Sequence, residues 1–455
     1  MALGKRISKQ ADLWLVSSAL PPAPGHPFYR KLNELLAEAA FDAYVEDRCR
    51  SYYADGLGRP GIPPGVYFRM LFIGYFEGID SQRGIAWRCA DSRSLQAFLG
   101  LLPTEATPDH SSLTKIRQRL PQAVHEQVFG FVLEIARKKG LLQGETVVVD
   151  ATLLEANAAM KTIRRRDNGD DWKAYLGKLA EEAGIEDPSD DDLRRFDQQR
   201  LDKKVSNADW VSATDADSRI AKMKDGTTHL AYKAEHVVDA ASTLVLAAEI
   251  HAADQVDSAT MVASVASAQI NLIRAGSDTD IDKVVADKGY HKTQTLATCV
   301  EAGWETYIPE KQSRQERVWD DKPKVWKRAY ERNARRVRSR VGKALQRLRG
   351  MTVERTFAHL CETGRARRSW LRGLAKVKKR YLMHAAAYNL GVVMRQLFGM
   401  GTPRSLQGAC AAFLAGLEAL ARWLDRCQHT WSPQRWFSPA DDPVASQSAP
   451  QVAAA

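Results

Sequence analysis

The chain has 455 residues, 44% of them hydrophobic, and a formal net charge of +11, so it can bury a large core and is long enough for two or three domains. No uncharged apolar run reaches the roughly 18 residues of a membrane span, and the opening MALGKRISKQADLW lacks an apolar leader core; no membrane partner is expected, and the cytoplasm is the expected compartment. The six cysteines (Cys49, Cys89, Cys299, Cys361, Cys410, Cys427) form no C-x-x-C pair and no two histidines stand at H-E-x-x-H spacing, which argues against disulfides and zinc and leaves oxygen as the ligand for any metal.

Residues 27 to 138 predict helices: FYRKLNELLAEAAFDAYVEDRC, PPGVYFRMLFIGYFEGI, SQRGIAWRCADSRSLQAFLG, SSLTKIRQRL and AVHEQVFGFVLEIARKKG all place apolar residues three to four apart. Asp109 or Ser111 can cap the fourth, and Pro63 and Pro64 suit the first turn of the second. Residues 1–138 thus form a helical domain of helix-turn-helix character, a pattern that describes a packed bundle as readily as a DNA reader.

At residue 145 the period changes. ETVVVDATLLEA predicts a buried strand over Thr146 to Val149 that delivers Asp150 at its end. Residues 156–215 are polar, with the acidic cluster Glu181 to Asp192 answered by Arg194, Arg195, Arg200, Lys203 and Lys204; a helical or partly mobile insertion is expected. THLAYKAEHVVDAASTLVLAAEIHAA then predicts two strands joined at Ala240 to Ser242, Ser258 to Arg274 a helix, and IDKVVADKGY a strand ending in Asp287. HKTQTLATCVEAG reads as a helix and WETYIPE as a strand, so residues 145–400 are expected to be α/β, a mixed sheet flanked by helices.

Residues 322–380 hold 21 Lys or Arg against three acids, a local excess of +18 that leaves −7 elsewhere. Charge so concentrated calls for a polyanion, and a phosphate backbone neutralises it with release of counterions; the alternative is a solvated basic helix face. In MTVERTFAHLCE, Val353, Phe357 and Leu360 recur at helical spacing and set Glu354 beside the apolar stripe. VKKRYLMHAAAYNLGVVMRQLF closes the core. Within residues 401–455, an amphipathic helix is expected over 405–426 and a disordered Pro, Ser and Ala-rich tail after about 438.

Three acids far apart in the chain converge if two lie at strand ends and the third on a helix packed against that sheet. Asp150, Asp287 and Glu354 occupy such places. Singly, each aspartate serves equally well as a turn cap and the glutamate as a solvated residue. Two carboxylates after Val-rich runs, however, are costly to desolvate without a metal or hydrogen bonds. Two Mg²⁺ ions held by carboxylates supply what phosphodiester cleavage needs, an activated oxygen nucleophile and charge relief at phosphorus. Lys233 and His236 on one strand, and Tyr290 and His291 after another, are read as packing residues or as contacts to flanking DNA. Trp326, Trp370, Trp431 and Trp436 are read as core residues or as platforms for extruded bases.

The blocks VVVDATLLEA, DGTTHLAYKAEHVVDA, VVADKGYHK and VERTFAHL, with PGVYFRMLFIGYFEGIDSQRGIAWRCADSRSLQAFLG before them, resemble bacterial insertion-sequence DDE transposases over roughly residues 25–400. The resemblance implies an RNase H-like catalytic domain preceded by a helical DNA-binding domain, with Asp150, Asp287 and Glu354 as catalytic and metal-holding residues. It implies two Mg²⁺ (or Mn²⁺) ions and strand transfer on double-stranded DNA, both terminal inverted repeats and target, by a homodimer in the synaptic complex at the nucleoid. Many relatives carry Tyr, Arg and Lys where this chain has Arg347, Gly350 and Cys361. Arg347, Arg355 and Arg365, with Lys233, are the candidate DNA contacts. The alternative is a non-catalytic DNA-binding regulator or domesticated transposase, which would lack one of the acids; none is missing.

Overall fold

The computed structural model describes residues 25–54, 61–200, 206–311 and 317–405. Its first part is helical: α1 (Pro27–Glu38), α2 (Phe41–Cys49), α3 (Pro64–Glu77), α4 (Gln82–Ala90), α5 (Arg93–Phe98), α6 (His110–Arg119) and α7 (Gln122–Lys138). The segment whose periodicity runs unbroken from 28 to 49 is divided at Ala40, whose φ of 55° ends one helix and turns the chain into the next. Asp109, not Ser111, caps α6, its carboxylate accepting the Ser111 N–H at 2.8 Å. α3 is apolar almost all round and correspondingly buried.

The second part contains β1 (Thr146–Glu155), β2 (Ile163–Arg165), α8 (Trp172–Glu182), α9 (Asp190–Gln199), β3 (Trp210–Ser212), β4 (Arg219–Lys222), β5 (Thr228–Asp239) and β6 (Val245–Ala252). There follow α10 (Asp257–Arg274), β7 (Lys283–Val285), α11 (Thr293–Glu301), β8 (Glu305–Tyr307), α12 (Lys324–Arg338), α13 (Arg340–Phe357) and α14 (Leu374–Phe398). The fold is mixed α/β. The central sheet runs β6, β5, β1, β7, β8, with β4 also beside β5; β1, β5 and β6 are antiparallel neighbours, while β7 and β8 run parallel to β1. β2 and β3 form a separate two-stranded ribbon within 156–215, where Leu176, Ala180 and Leu193 make a small core under Trp172, Ile185 and Phe196.

Alternate residues of β5 face opposite helical layers, as a pleated strand requires. Glu235 meets Thr260 and Ser264 of α10, whereas His236 meets Thr356 of α13 and Tyr381 of α14. α14 is buried from Tyr381 to Met394 and packs on α3, α7 and β6, so it joins the N-terminal helices to the sheet. The cysteines among the described residues are unpaired and buried. No helix among the described residues is long and apolar enough to cross a membrane. The helix expected at 405–426, the tail, Trp431 and Trp436 lie outside the described residues, apart from Ser405 itself.

Candidate active site

β1 does not stop at Asp150. It continues to Glu155, because β5 pairs with it as far as Ala231. On its other edge β7 pairs only up to Val285, opposite Val148. Asp150 therefore stands mid-strand on the β5 side and just beyond the last partner on the β7 side. Its cross-strand neighbour is His236, and directly opposed residues share a face of the sheet, here the face covered by α13. The Asp150 carboxylate accepts Nη1 of Arg349, from α13, at 2.9 Å and the N–H of Ala151 at 2.8 Å. Burial pushes this carboxyl above its ordinary range, and the charge of nearby Asp287 pushes the same way, against the N–H of Ala151 and the guanidinium of Arg349.

Asp287 lies two residues past β7 and opens the helical turn Lys288–Tyr290, accepting the Gly289 N–H at 2.6 Å. Gly289 is dictated by space: a Cβ there would lie 2.8 Å from Asp287 Oδ1 and 2.9 Å from Asp257 Oδ2. These contacts bring in Asp257, the first residue of α10. Its carboxylate holds Lys233 Nζ at 3.2 Å, and Lys233 donates further to the Gln255 carbonyl and Thr260 Oγ1, each at 2.9 Å. Tyr290 donates its hydroxyl to Glu235 at 3.0 Å. Burial raises the Glu235 carboxyl, yet hydrogen bonds from His251, Ser264 and Thr260 and the charge of Lys233 outweigh it and leave it below its ordinary value. In ADKGY, then, the aspartate caps, the glycine clears room and the tyrosine anchors the turn to a buried acid.

Glu354 is exposed on α13. Arg349, which bonds Asp150, precedes it on that helix, and Thr356, which bonds His236, follows it. Gln346 fastens the same helix across the ends of β7 and β8 through the carbonyls of Ala286 and Tyr307. Among the described residues, no three His, Cys, Asp or Glu side chains are close enough to form a metal-holding group. The structure thus sets Asp287 near enough to Asp150 for its charge to raise that carboxyl, and leaves Glu354 exposed on α13. The donor type, carboxylate oxygen, is the one a hard divalent cation takes.

Arg347 and Arg355 are exposed on α13, and Arg365 is exposed after it. Lys233 corrects the expectation of a DNA contact: it is 4% exposed and its ammonium is taken up internally, because its side of β5 faces α10 and not solvent. His236 and Tyr290 are likewise buried and serve packing and hydrogen bonding. The basic segment forms α12 and α13; Asn333 docks α12 on β8 through the backbone of Ile308, which leaves Lys324, Lys327, Arg328, Arg332 and Arg335 exposed on it. Arg349, Asp257 and Glu235 were missed in the sequence. Glu235 left a signal, an acid inside the apolar alternation of AYKAEHVV, but nothing marked the other two.

A family model described as Transposase domain (DUF772) matches residues 17–119, and one described as Transposase DDE domain matches residues 189–390. Asp287 and Glu354 fall inside the second match and Asp150 ahead of it. Comparison with curated proteins and with solved structures gives no match.

Proposed function

Because the chain belongs to the insertion-sequence DDE transposases, we propose that it cuts double-stranded DNA at the element's terminal inverted repeats and joins the ends to a target, using Asp150, Asp287 and Glu354. The observation that carries this reading is Asp150, partly desolvated, paired with the guanidinium of Arg349 and raised further by the charge of nearby Asp287. Two Mg²⁺ or Mn²⁺ ions, when bound by these acids, would lower the pKa of water and offset charge at phosphorus. Glu354, exposed on α13, is the third acid of this reading and stands on the helix that carries Arg349.

The chain's own residues do the rest. The Glu235, Tyr290 and Asp257 network holds the Asp287 turn in place from beneath. The exposed bases of α12 and α13 attract the duplex electrostatically, and Arg347, Arg355 and Arg365 contact the phosphates beside the cut. Holding two ends together for joining calls for two copies of the chain.

The test is Asp287→Ala with labelled terminal-repeat duplex. Binding is expected to be unchanged and cleavage abolished; retained cleavage overturns the assignment of the site. A wild-type protein that binds the ends but cleaves nothing in Mg²⁺ or Mn²⁺ overturns the enzymatic reading in favour of a regulator.

A further inference from the structure

A cavity of about 220 Å³ lies where α3, α4, α6 and α14 meet the loop at Trp370. Its lining carries three cations, Arg117, Lys379 and Arg380, and one acid, Asp80. Asp80 is already engaged by Nε1 of Trp370 at 2.7 Å, and Lys379 gives its ammonium to the carbonyls of Arg117 and Leu120. Arg117 is 8% exposed with an unpartnered Nε, His384 is 4% exposed with an unpartnered Nδ1, and Nη2 of Arg380 has no partner either. The N-terminus of α4, at Ser81 and Gln82, opens on the same space and adds the positive end of a helix dipole.

Such a lining is expensive. Burial lowers the Arg380 guanidinium to about 10, and although Asp80 opposes this, Arg117 adds to it. Burial and the same Arg117 charge also lower Lys379. Like charges gathered out of water with idle donors destabilise a fold unless an anion joins them. Nothing in the candidate active site uses this cluster, which stands on other elements and is centred on α14.

We propose that this cavity is a binding site for a phosphate group, either free phosphate or the phosphate at the end of a DNA strand. Arg117 and Arg380 provide the charge, His384 and the start of α4 provide further donors, and Trp370, 47% exposed, stands at the mouth. Walls from four helices admit a small anion or a strand end and exclude a continuous duplex. A ligand seated there would tie α4 and α6 to α14.

The experiment is thermal unfolding of the full chain in chloride and in inorganic phosphate at equal ionic strength, with phosphorus NMR line broadening as the binding readout. The wild-type midpoint is expected to rise saturably with phosphate, by roughly 2 °C or more. Arg380→Gln is expected to weaken that response at least tenfold while leaving the midpoint in chloride unchanged or higher, since it removes a buried like charge. A residue with a purely structural role would instead lower the midpoint in chloride; should Arg380→Gln fail to fold, Arg117→Gln makes the same test. Duplexes bearing 5′-phosphate or 5′-hydroxyl ends, used as competitors, separate the two sources: preferential displacement by the former assigns a strand end, displacement by neither assigns free phosphate, and equal displacement by both overturns a site closed to continuous duplex. Absence of a saturable phosphate effect in the wild type, or a wild-type response in the variant, overturns the proposal.

Discussion

Gly289→Ala tests the geometry of the Asp287 turn directly. Gly289 is not among the glycines with positive φ, so alanine is barred by space and not by backbone strain. Its Cβ would stand 2.8 Å from Asp287 Oδ1 and 2.9 Å from Asp257 Oδ2, where ordinary contact begins at 3.4 Å; each oxygen must retreat by about 0.5 Å, near the tolerance of a catalytic constellation. Both are ends of side chains that can rotate, so the folding loss should sit at the low end of overpacking, about 1 kcal/mol. Function should suffer far more. Moving Asp287 also lengthens its 2.6 Å bond to the Gly289 N–H, and a misplacement of this order is expected to slow cleavage roughly 10- to 100-fold. Cleavage of a labelled terminal duplex in Mg²⁺, duplex affinity by anisotropy and the urea midpoint would be measured on one preparation. Cleavage within twofold of wild type would refute the reasoning, as would a loss of duplex binding that tracks a loss of folding.

Arg349→Ala removes the guanidinium that answers Asp150. The two side chains are 19% and 28% exposed, between the surface and buried limits for an ion pair, so the metal-free protein should lose about 2 kcal/mol in urea titrations. Mg²⁺ should bind the variant more tightly by calorimetry, because a competing cation is gone; weaker binding would show that Arg349 assists the metal. Burial holds His125 down to about 4 and His236 to about 3. Both are neutral when folded and take up a proton when unfolded below about 6.5, so their contribution is complete above pH 6.5 and declines as pH falls toward 4. Each should add up to about 1.4 kcal/mol per pH unit to that decline, and a urea midpoint flat from pH 7 to 5 would contradict it. Duplex affinity should fall steeply between 50 and roughly 200 mM salt, with a slope reduced by about one for each exposed arginine of α12 changed to glutamine; a shallow, mutation-independent slope would remove α12 from the interface.

Local periodicity determined much of this protein. The helical character before residue 145, though not the breaks at Ala40 and after Ala90, the change to strand period at Thr146, the β5 and β6 pair and the place of Asp287 after a Val-rich run were legible, because helix and strand periods are properties of neighbouring residues. The +18 segment could be counted before any fold was known. Tertiary structure decided the rest. Whether β1 ended at Asp150 depended on a partner strand some 80 residues later in the chain, which pairs along it to Glu155. Lys233 looked available for DNA until α10 covered its side of β5 and offered three oxygens to its ammonium. Arg349 was one basic residue among many in its helix, and only the passage of α13 over β1 set it against Asp150. Burial and ion pairing depend on which remote surface a side chain meets, and that information is held in the packing of elements, not in the spacing of residues along one of them.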